Sequence, residues 1–249
     1  RPGCGGLLRI GTGELGDSLA LDRVTGLSQD LIAAIESLPD VVLELKTKTV
    51  EIENLLSRPA PDNVIVGWSL NTESNAAAED IGAPSIARRL AAARRCQAHG
   101  YRLAFHFDPL LAGEGWERDY GAIVDALFDT VNPRGIAYIS LGALRFPPAM
   151  KRTIEARFPQ TRIGTGELVR GWDGKLRYFR PLRVKLYRRV LEAIRARAPE
   201  VTVYLCMESH AVWRDVFGWA PRGVEDVSER LHAGCRKAKS VADPVCLAD

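Results

Sequence analysis

Residues 9–22, RIGTGELGDSLALD, place a glycine-rich turn directly after a short apolar run. The run around Ile10 has the composition of a β-strand, and Gly11 and Gly13 permit positive φ angles or close backbone contacts. Glu14 follows at the position where a binding loop usually presents ligand contacts. The stretch therefore predicts a strand that ends in a ligand-binding loop, although the strand-to-helix turn of any α/β protein has the same pattern.

Apolar runs and amphipathic segments alternate along the rest of the chain. Further strands are predicted at residues 41–45, 64–70, 102–107, 136–141 and 201–207. Helices are predicted at residues 28–38, with Ser28 as N-cap, and at 50–56, 84–99, 119–131 and 183–197, followed by two C-terminal helices. This order predicts right-handed βαβ units and a parallel sheet, open or curled into part of a barrel. We expect a single domain over residues 1–240 and a tail over 241–249.

Polar side chains follow the predicted strands where their carboxyl ends meet. Ligand sites of parallel α/β proteins form at this edge, although each side chain alone could be a solvated loop residue. His106 and Asp108 share one face of a strand and could form an acid–base pair in a metal-independent enzyme. The candidates are Glu14, Lys48, Ser69, Asn71, His106, Asp108, Arg145 and Glu208.

Composition bounds the function only loosely. The 249 residues carry 34 Lys and Arg against 31 Asp and Glu, a net charge of +3 that is too small to indicate nucleic-acid binding. No apolar run is long enough to cross a bilayer, and the five cysteines have no metal-site spacing, so we expect a reduced, cytoplasmic protein without a metal site in this chain. Because residue 1 is Arg, we expect a processed or partial chain.

A basic segment interrupts the alternation at residues 162–182. Its first seven residues repeat residues 9–15 letter for letter, which we interpret as coincidence because no wider repeat is visible. Asp173 and Gly174 then form a turn signal between aromatic and basic residues, which predicts a hairpin. A solvated basic connection is the alternative, but a hairpin could bind phosphates through Lys175, Arg177 and Arg180 while Tyr178 or Trp172 stacks on or beside a base.

Several blocks, in the same order, make the chain similar to the spore photoproduct lyase family of radical S-adenosylmethionine (SAM) enzymes. They are residues 9–22, LELKTKTVEIENLL at 43–56, VGWSLN at 66–71, GYRLAFHFDPL at 100–110, EGWERDY at 114–120 and ISLGALRFP at 139–147. The resemblance implies an α/β fold, a parallel-stranded partial (β/α)6 barrel of radical SAM type, N-terminally truncated, with a basic hairpin insertion and C-terminal helices. It also implies SAM, a 4Fe-4S cluster and ultraviolet-damaged DNA as substrate.

The resemblance assigns roles to individual residues. Gly13 and Glu14 fall where these enzymes hold the methionyl amino group of SAM, and Lys48 lies near a SAM-contacting lysine. Ser69 and Asn71 match a serine-centred strand end at the same site. Residues 172–183 correspond to a DNA-gripping hairpin.

Two family features are missing from this chain. The cluster motif CxxxCxxC is absent and is expected upstream of residue 1, and the family's hydrogen-donating cysteine would fall near Gly11. The implied function is a carbon–carbon lyase that repairs thymine dimers by 5′-deoxyadenosyl radical chemistry, with a flavodoxin or ferredoxin as electron donor. We expect a fragment or lyase-like homologue that is inactive alone. The alternative is a non-catalytic DNA- or nucleotide-binding module that retains the barrel.

Overall fold

A parallel six-stranded sheet forms the centre of the computed structural model, which describes residues 7–13 and 16–236, without the side chain of Val224. Its strands follow one another in the order β1, β2, β3, β4, β5 and β9, and the sheet curls into a half-barrel, which confirms the predicted fold class. The strands of the chain are β1 (Leu8–Thr12), β2 (Val41–Thr47), β3 (Val64–Ser69), β4 (Arg102–Leu110), β5 (Ile136–Ala143), β6 (Arg145–Phe146), β7 (Val169–Arg170), β8 (Leu176–Arg177) and β9 (Val203–Leu205).

Helices cover the convex face of this sheet. Every second strand residue, such as Leu45, Val66 and Phe105, packs into the large apolar core beneath them. A short 3-10 helix, Pro133–Gly135, precedes β5. The α-helices are α1 (Asp22–Thr25), α2 (Leu27–Ile35), α3 (Glu53–Leu56), α4 (Glu73–Glu79), α5 (Ile86–His99), α6 (Trp116–Thr130), α7 (Pro148–Arg157), α8 (Arg180–Arg197), α9 (His210–Phe217) and α10 (Val224–Arg236).

Helix α10 packs on the opposite, concave face. Its Leu231 and Cys235 join a second apolar cluster with strand residues that include Val42 and Ile65. The Arg102 guanidinium, from the start of β4, donates to the main-chain carbonyl oxygens of Gly234 and Cys235 at the end of the helix. The amino-terminal half of the concave face is therefore filled by protein, while its carboxyl-terminal half stays open.

The predicted hairpin is present. Strands β7 and β8 pair antiparallel, and β8 also pairs with β6 to give a small three-stranded sheet. Gly174 has a φ of 78°, which a tight turn requires and which favours glycine. The hairpin prediction at Asp173 and Gly174 is confirmed.

Several local predictions need correction. Helix α2 is capped by Gly26, and Ser28 is buried inside its first turn, where its hydroxyl donates to Asp22 at 2.6 Å. The helix expected from residue 50 begins at Glu53, and β9 spans three residues instead of seven. Helix α5 follows the prediction, with Ser85 as N-cap and Gly100, at a φ of 110°, as C-cap. The predicted tail at 241–249 lies outside the described residues.

Among the helices that the structure describes, we find none with both the length and the apolar composition of a membrane span.

Candidate functional site: a cavity at the carboxyl ends of the strands

A cavity of ≈ 320 Å³ opens on the concave face, at the edge where the carboxyl ends of β1 to β4 meet. This volume is at the lower end of the range of small-molecule sites. The lining combines glycine backbone, two lysines, hydroxyl groups and carboxylates. It consists of Gly13, Gly16, Asp17, Lys46, Thr47, Lys48, Ser69 and Asp108.

At Gly13 the backbone of the cavity wall packs closely against the neighbouring strand β2. Its φ is 87°, and a Cβ at this position would lie 2.5 Å from the carbonyl oxygen of Lys46 and 2.8 Å from the hydroxyl of Ser18. Only glycine fits there without displacing the neighbouring strand. Gly13 therefore lies in the cavity wall, and its role in ligand binding stays a prediction. Glu14 lies outside the described residues.

The two lysines that follow β2 have different surroundings. Lys48 forms an ion pair with Asp80, which Arg89 also binds at 2.8 Å. Successive side chains of a strand point to opposite faces. Because Leu45 packs into the core on the convex face, Lys46 lies on the concave face. Within the part of the chain that the structure describes, its ammonium makes no hydrogen bond or ion pair. Lys46 is the cation free to meet a ligand, and the sequence reasoning missed it by ending the strand at Leu45.

Ser69 and Asn71 lie at the end of β3 but differ in availability. Ser69 lines the cavity, and its main-chain carbonyl oxygen accepts from Arg89 at 3.0 Å. The amide of Asn71 is buried and engaged in loop contacts: its nitrogen donates to the carbonyl oxygen of Pro109, and its oxygen accepts from the Tyr120 hydroxyl at 2.8 Å. Both residues are buried, but Asn71 positions the strand end, and Ser69 is the one of the two that lines the cavity.

A buried polar network lies deeper in the half-barrel. The Glu44 carboxylate contacts Nε2 of His106 at 2.5 Å and Nη1 of Arg9 at 3.3 Å, and Arg9 donates to the Tyr138 hydroxyl at 2.9 Å. Burial alone would raise the pKa of Glu44, but the His106 ring, a hydrogen bond with Tyr138 and the Arg9 charge together lower it to about 2. Glu44 therefore stays ionised inside the protein.

Asp108 and Arg145 form a second polar cluster at the rim. Their side chains make two hydrogen bonds of 2.9 Å, and Arg145 also contacts the sulfur of Cys206 at 3.4 Å. Burial, and then the Asp108 charge, raise the pKa of the Cys206 thiol to about 11, so the thiol is protonated at neutral pH. His106 and Asp108 bind different partners, which gives no support to an acid–base pair between them.

Glu208, another predicted strand-end candidate, is engaged in packing contacts. Its carboxylate accepts from Arg183 at 2.8 Å and from the Tyr187 hydroxyl at 2.9 Å, and its side chain is almost fully buried. These contacts join helix α8 to the end of β9. Glu208 is therefore not exposed to the cavity.

The four predicted DNA-contacting residues divide into buried and accessible pairs. Arg177 is 2% exposed and donates to Asp173 at 2.6 Å, while the Tyr178 hydroxyl accepts from the backbone of Ala112. Lys175 and Arg180 reach the surface. Trp172, at the turn, is 76% exposed, whereas Tyr178 is buried, so Trp172 is the stacking candidate that a base could reach.

The described residues contain no group of three potential metal ligands. Their cysteines are Cys96, Cys206 and Cys235, all unpaired. A 4Fe-4S cluster, which requires several converging thiolates, does not fit this part of the chain.

A family model described as spore photoproduct lyase matches residues 8–190. Among curated proteins, the spore photoproduct lyase of Geobacillus sp. (strain Y412MC61) is 26% identical over 153 residues, covering 61% of this chain and 45% of that protein. The spore photoproduct lyase of Bacillus subtilis (strain 168) is 27% identical over 128 residues, covering 50% of this chain and 37% of that protein. The matched part spans less than half of each relative.

Solved structures give the same result. A spore photoproduct lyase mutant with dinucleoside spore photoproduct matches with a TM-score of 0.75 and 25% identity, over 81% of this chain and 62% of that chain. A second mutant, with bound AdoMet and dinucleoside spore photoproduct, has a TM-score of 0.73 at the same identity and coverage. Sequence, family model and fold agree with the predicted resemblance: the chain belongs to the spore photoproduct lyase family.

Proposed function

We propose that this chain is the barrel portion of a radical SAM carbon–carbon lyase that repairs ultraviolet-induced thymine dimers in DNA. The observation that carries the proposal is the cavity formed by Gly13, Lys46 and Ser69 at the carboxyl ends of the strands. The solved structures of this family include a mutant with bound AdoMet and dinucleoside spore photoproduct.

The residues of the cavity suit SAM, which carries an ammonium, a carboxylate and hydroxyl groups. The backbone at Gly13 allows close approach, Lys46 supplies a cation for the carboxylate, and Ser69 supplies a hydroxyl. Glu14, outside the described residues, remains our candidate partner for the ammonium group, and Lys48 and Asn71 hold the surrounding loops. When bound, SAM supplies the group that abstracts hydrogen from the substrate.

The contribution of this chain is binding, orientation and exclusion of water. Glu44 precedes Lys46 by two residues on β2, so the Glu44 network lies on the same face of the sheet as the cavity. We assign no step to an iron–sulfur cluster, since the described residues do not provide its ligands. For the whole enzyme we still propose a 4Fe-4S cluster bound by another part of the protein, and a flavodoxin or ferredoxin as electron donor.

The DNA surface of the proposal begins at the hairpin. Lys175 and Arg180 are placed to meet phosphates, and Trp172 to stack on or beside a base. Arg177 and Tyr178 support this surface from beneath. The widely spaced cysteines favour a reducing compartment, and we propose the cytoplasm.

The proposal is tested by measuring equilibrium binding of SAM to this chain by calorimetry, and binding of lesion-containing and intact duplex DNA by fluorescence anisotropy. We expect SAM to bind with S-adenosylhomocysteine as competitor, and we expect DNA to bind. Duplex binding without SAM binding would favour the alternative, a DNA-binding module that retains the barrel. Dimer cleavage by this chain alone would contradict our expectation that it needs a cluster-binding partner segment.

A further inference from the structure

Positive charge is concentrated in one continuous part of the chain. Residues 145–197 contain 15 of its 34 Lys and Arg residues but only 4 of its 31 Asp and Glu residues. The remaining residues are therefore net acidic, and the overall charge of +3 conceals a strongly basic block. This block includes the hairpin and helix α8.

A groove of ≈ 580 Å³ lies on the outside of the half-barrel, between the first halves of α6 and α8 and the side of α9. Helix α6 follows β4 in the chain, and α8 follows the hairpin strand β8, so the groove begins beside the hairpin. Four cations of α8 line it: Arg180, Lys185, Arg188 and Arg189.

Exposed contacts hold these cations in place. Lys185 pairs with Glu117 at 2.6 Å and lies 5.4 Å from the centre of the Trp116 ring, while Arg180 pairs with Asp215 at 2.6 Å. Arg189 donates to the main-chain carbonyl oxygen of Glu117 at 3.0 Å. Ion pairs at such exposed positions contribute only about 0–1 kcal/mol, so phosphate oxygens can replace their carboxylates.

We infer that this groove binds the sugar–phosphate backbone of duplex DNA, as a contact site that adjoins the hairpin surface and shares Arg180 with it. The four cations extend over a rise of about 13 Å along α8. Arg180 and Arg188 contact Asp215 of α9, whereas Lys185 and Arg189 contact Glu117 of α6. Arg180 directly follows the hairpin segment, so one duplex can contact both surfaces. The basic block that lines the groove continues a proposed DNA surface, which favours duplex DNA over an acidic protein. The inference rests on the proposed function, because it takes DNA as the substrate.

The double variant Lys185→Gln/Arg189→Gln tests the inference in the full chain. Both side chains are exposed, and we expect the thermal unfolding temperature to stay that of the parent. The matched control is Arg94→Gln/Arg197→Gln, which removes two exposed cations outside the groove. A third variant, Lys185→Arg/Arg189→Lys, keeps the charge and should restore binding.

The measurement is the affinity for an intact duplex of about 20 base pairs over a series of salt concentrations. We expect Lys185→Gln/Arg189→Gln to reduce the slope of log K against log salt by about 1.8, at about 0.9 for each lost phosphate contact, and to weaken binding at low salt about tenfold. The control variant should keep the slope of the parent.

Four results would overturn the inference. A groove variant with the parent's affinity and slope would exclude the contact while leaving the proposed function intact, and an equal loss in the control would indicate general charge effects. Unchanged DNA binding with loss of polyglutamate binding would identify the groove as a site for an acidic protein. A parent chain that binds no duplex would refute the DNA substrate of the proposed function as well.

Discussion

The carboxylate of Asp108 and the guanidinium of Arg145 face each other at the cavity rim, with each carboxylate oxygen accepting from a different nitrogen at 2.9 Å. The pair joins the end of β4 to β6, the edge of the small hairpin sheet. Gly142 makes room for it, because a Cβ there would lie 2.6 Å from the Asp108 side chain. This ion pair thus connects the rim of the cavity to the small hairpin sheet.

Replacing Arg145 with Met should destabilise the protein by about 1.5–3 kcal/mol, because the partly buried Asp108 carboxylate loses charge-assisted hydrogen bonds. Urea unfolding measures this. Lys151→Met, which removes the exposed pair with Glu155, is the control and should change stability by less than about 0.5 kcal/mol. Equal effects of the two variants would mean that the Asp108 pair adds nothing beyond a surface ion pair.

Gly13→Ala should weaken SAM binding and lower stability by about 1–3 kcal/mol, since a side chain would be strained at positive φ and would press on Lys46. Gly16→Ala is the matched control in the same cavity wall, because a Cβ there would meet nothing within 4 Å. Calorimetric titration and denaturant unfolding separate the two effects. Wild-type SAM affinity in Gly13→Ala would show that the ligand does not approach this loop.

Lys46→Gln should reduce SAM affinity about ten- to a hundredfold, the equivalent of losing a charge-assisted hydrogen bond of about 1.5–3 kcal/mol. Lys48→Gln should leave the affinity nearly unchanged, because its ammonium binds Asp80. The two variants remove the same charge two residues apart, so nonspecific electrostatics affects both alike. The reverse order of effects would restore Lys48 as the ligand-binding lysine.

The low pKa of Glu44 makes stability depend on pH in the acid range. Because the folded pKa, about 2, lies below the ordinary value of 4.5, this carboxylate stabilises the fold above pH 4.5, and that contribution is lost as pH falls from 4.5 through about 2. The difference in unfolding free energy between parent and Glu44→Gln should therefore shrink on acidification, by at most about 1.4 kcal/mol per pH unit. A constant difference across this range would contradict the assignment. Glu36→Gln, at an exposed ion pair, is the control.

Of the hairpin residues, we expect Arg177 to contribute to stability and Lys175 to contribute to DNA binding. Arg177→Gln should lower stability by about 1.5–3 kcal/mol, because it leaves Asp173 without its buried partner. Lys175→Gln should leave stability unchanged and reduce the salt slope of duplex binding by about 0.9. Denaturant unfolding curves measure the change in stability, and anisotropy titrations measure the salt slope of duplex binding. A stable Arg177→Gln variant with impaired DNA binding would return Arg177 to the contact surface.

The sequence predicted the strands well because six apolar runs separated by helical segments allow few arrangements other than a parallel sheet. It selected Lys48 and not Lys46, because it ended the second strand at Leu45. Strand β2 continues to Thr47, and extending the alternation by one residue places Lys46 on the face opposite Leu43 and Leu45.

The buried hairpin residues could not be predicted for a different reason. Arg177 and Tyr178 have the composition of a surface, and only the packing of β8 against β6 and the loop at Ala112 buries them. Local composition identified the basic segment at residues 162–182, and tertiary contacts decided which of its members reach solvent.

Helix α10 has a consequence for the order of events during synthesis. It follows all six strands of the central sheet in the chain, yet its Leu231 and Cys235 cover the concave apolar residues that include Val42 and Ala104. A ribosome therefore releases every strand before the helix that shields their inner face. Until residues 224–236 emerge, the nascent half-barrel has an uncovered apolar interior, and this interval is when a chaperone would contribute most.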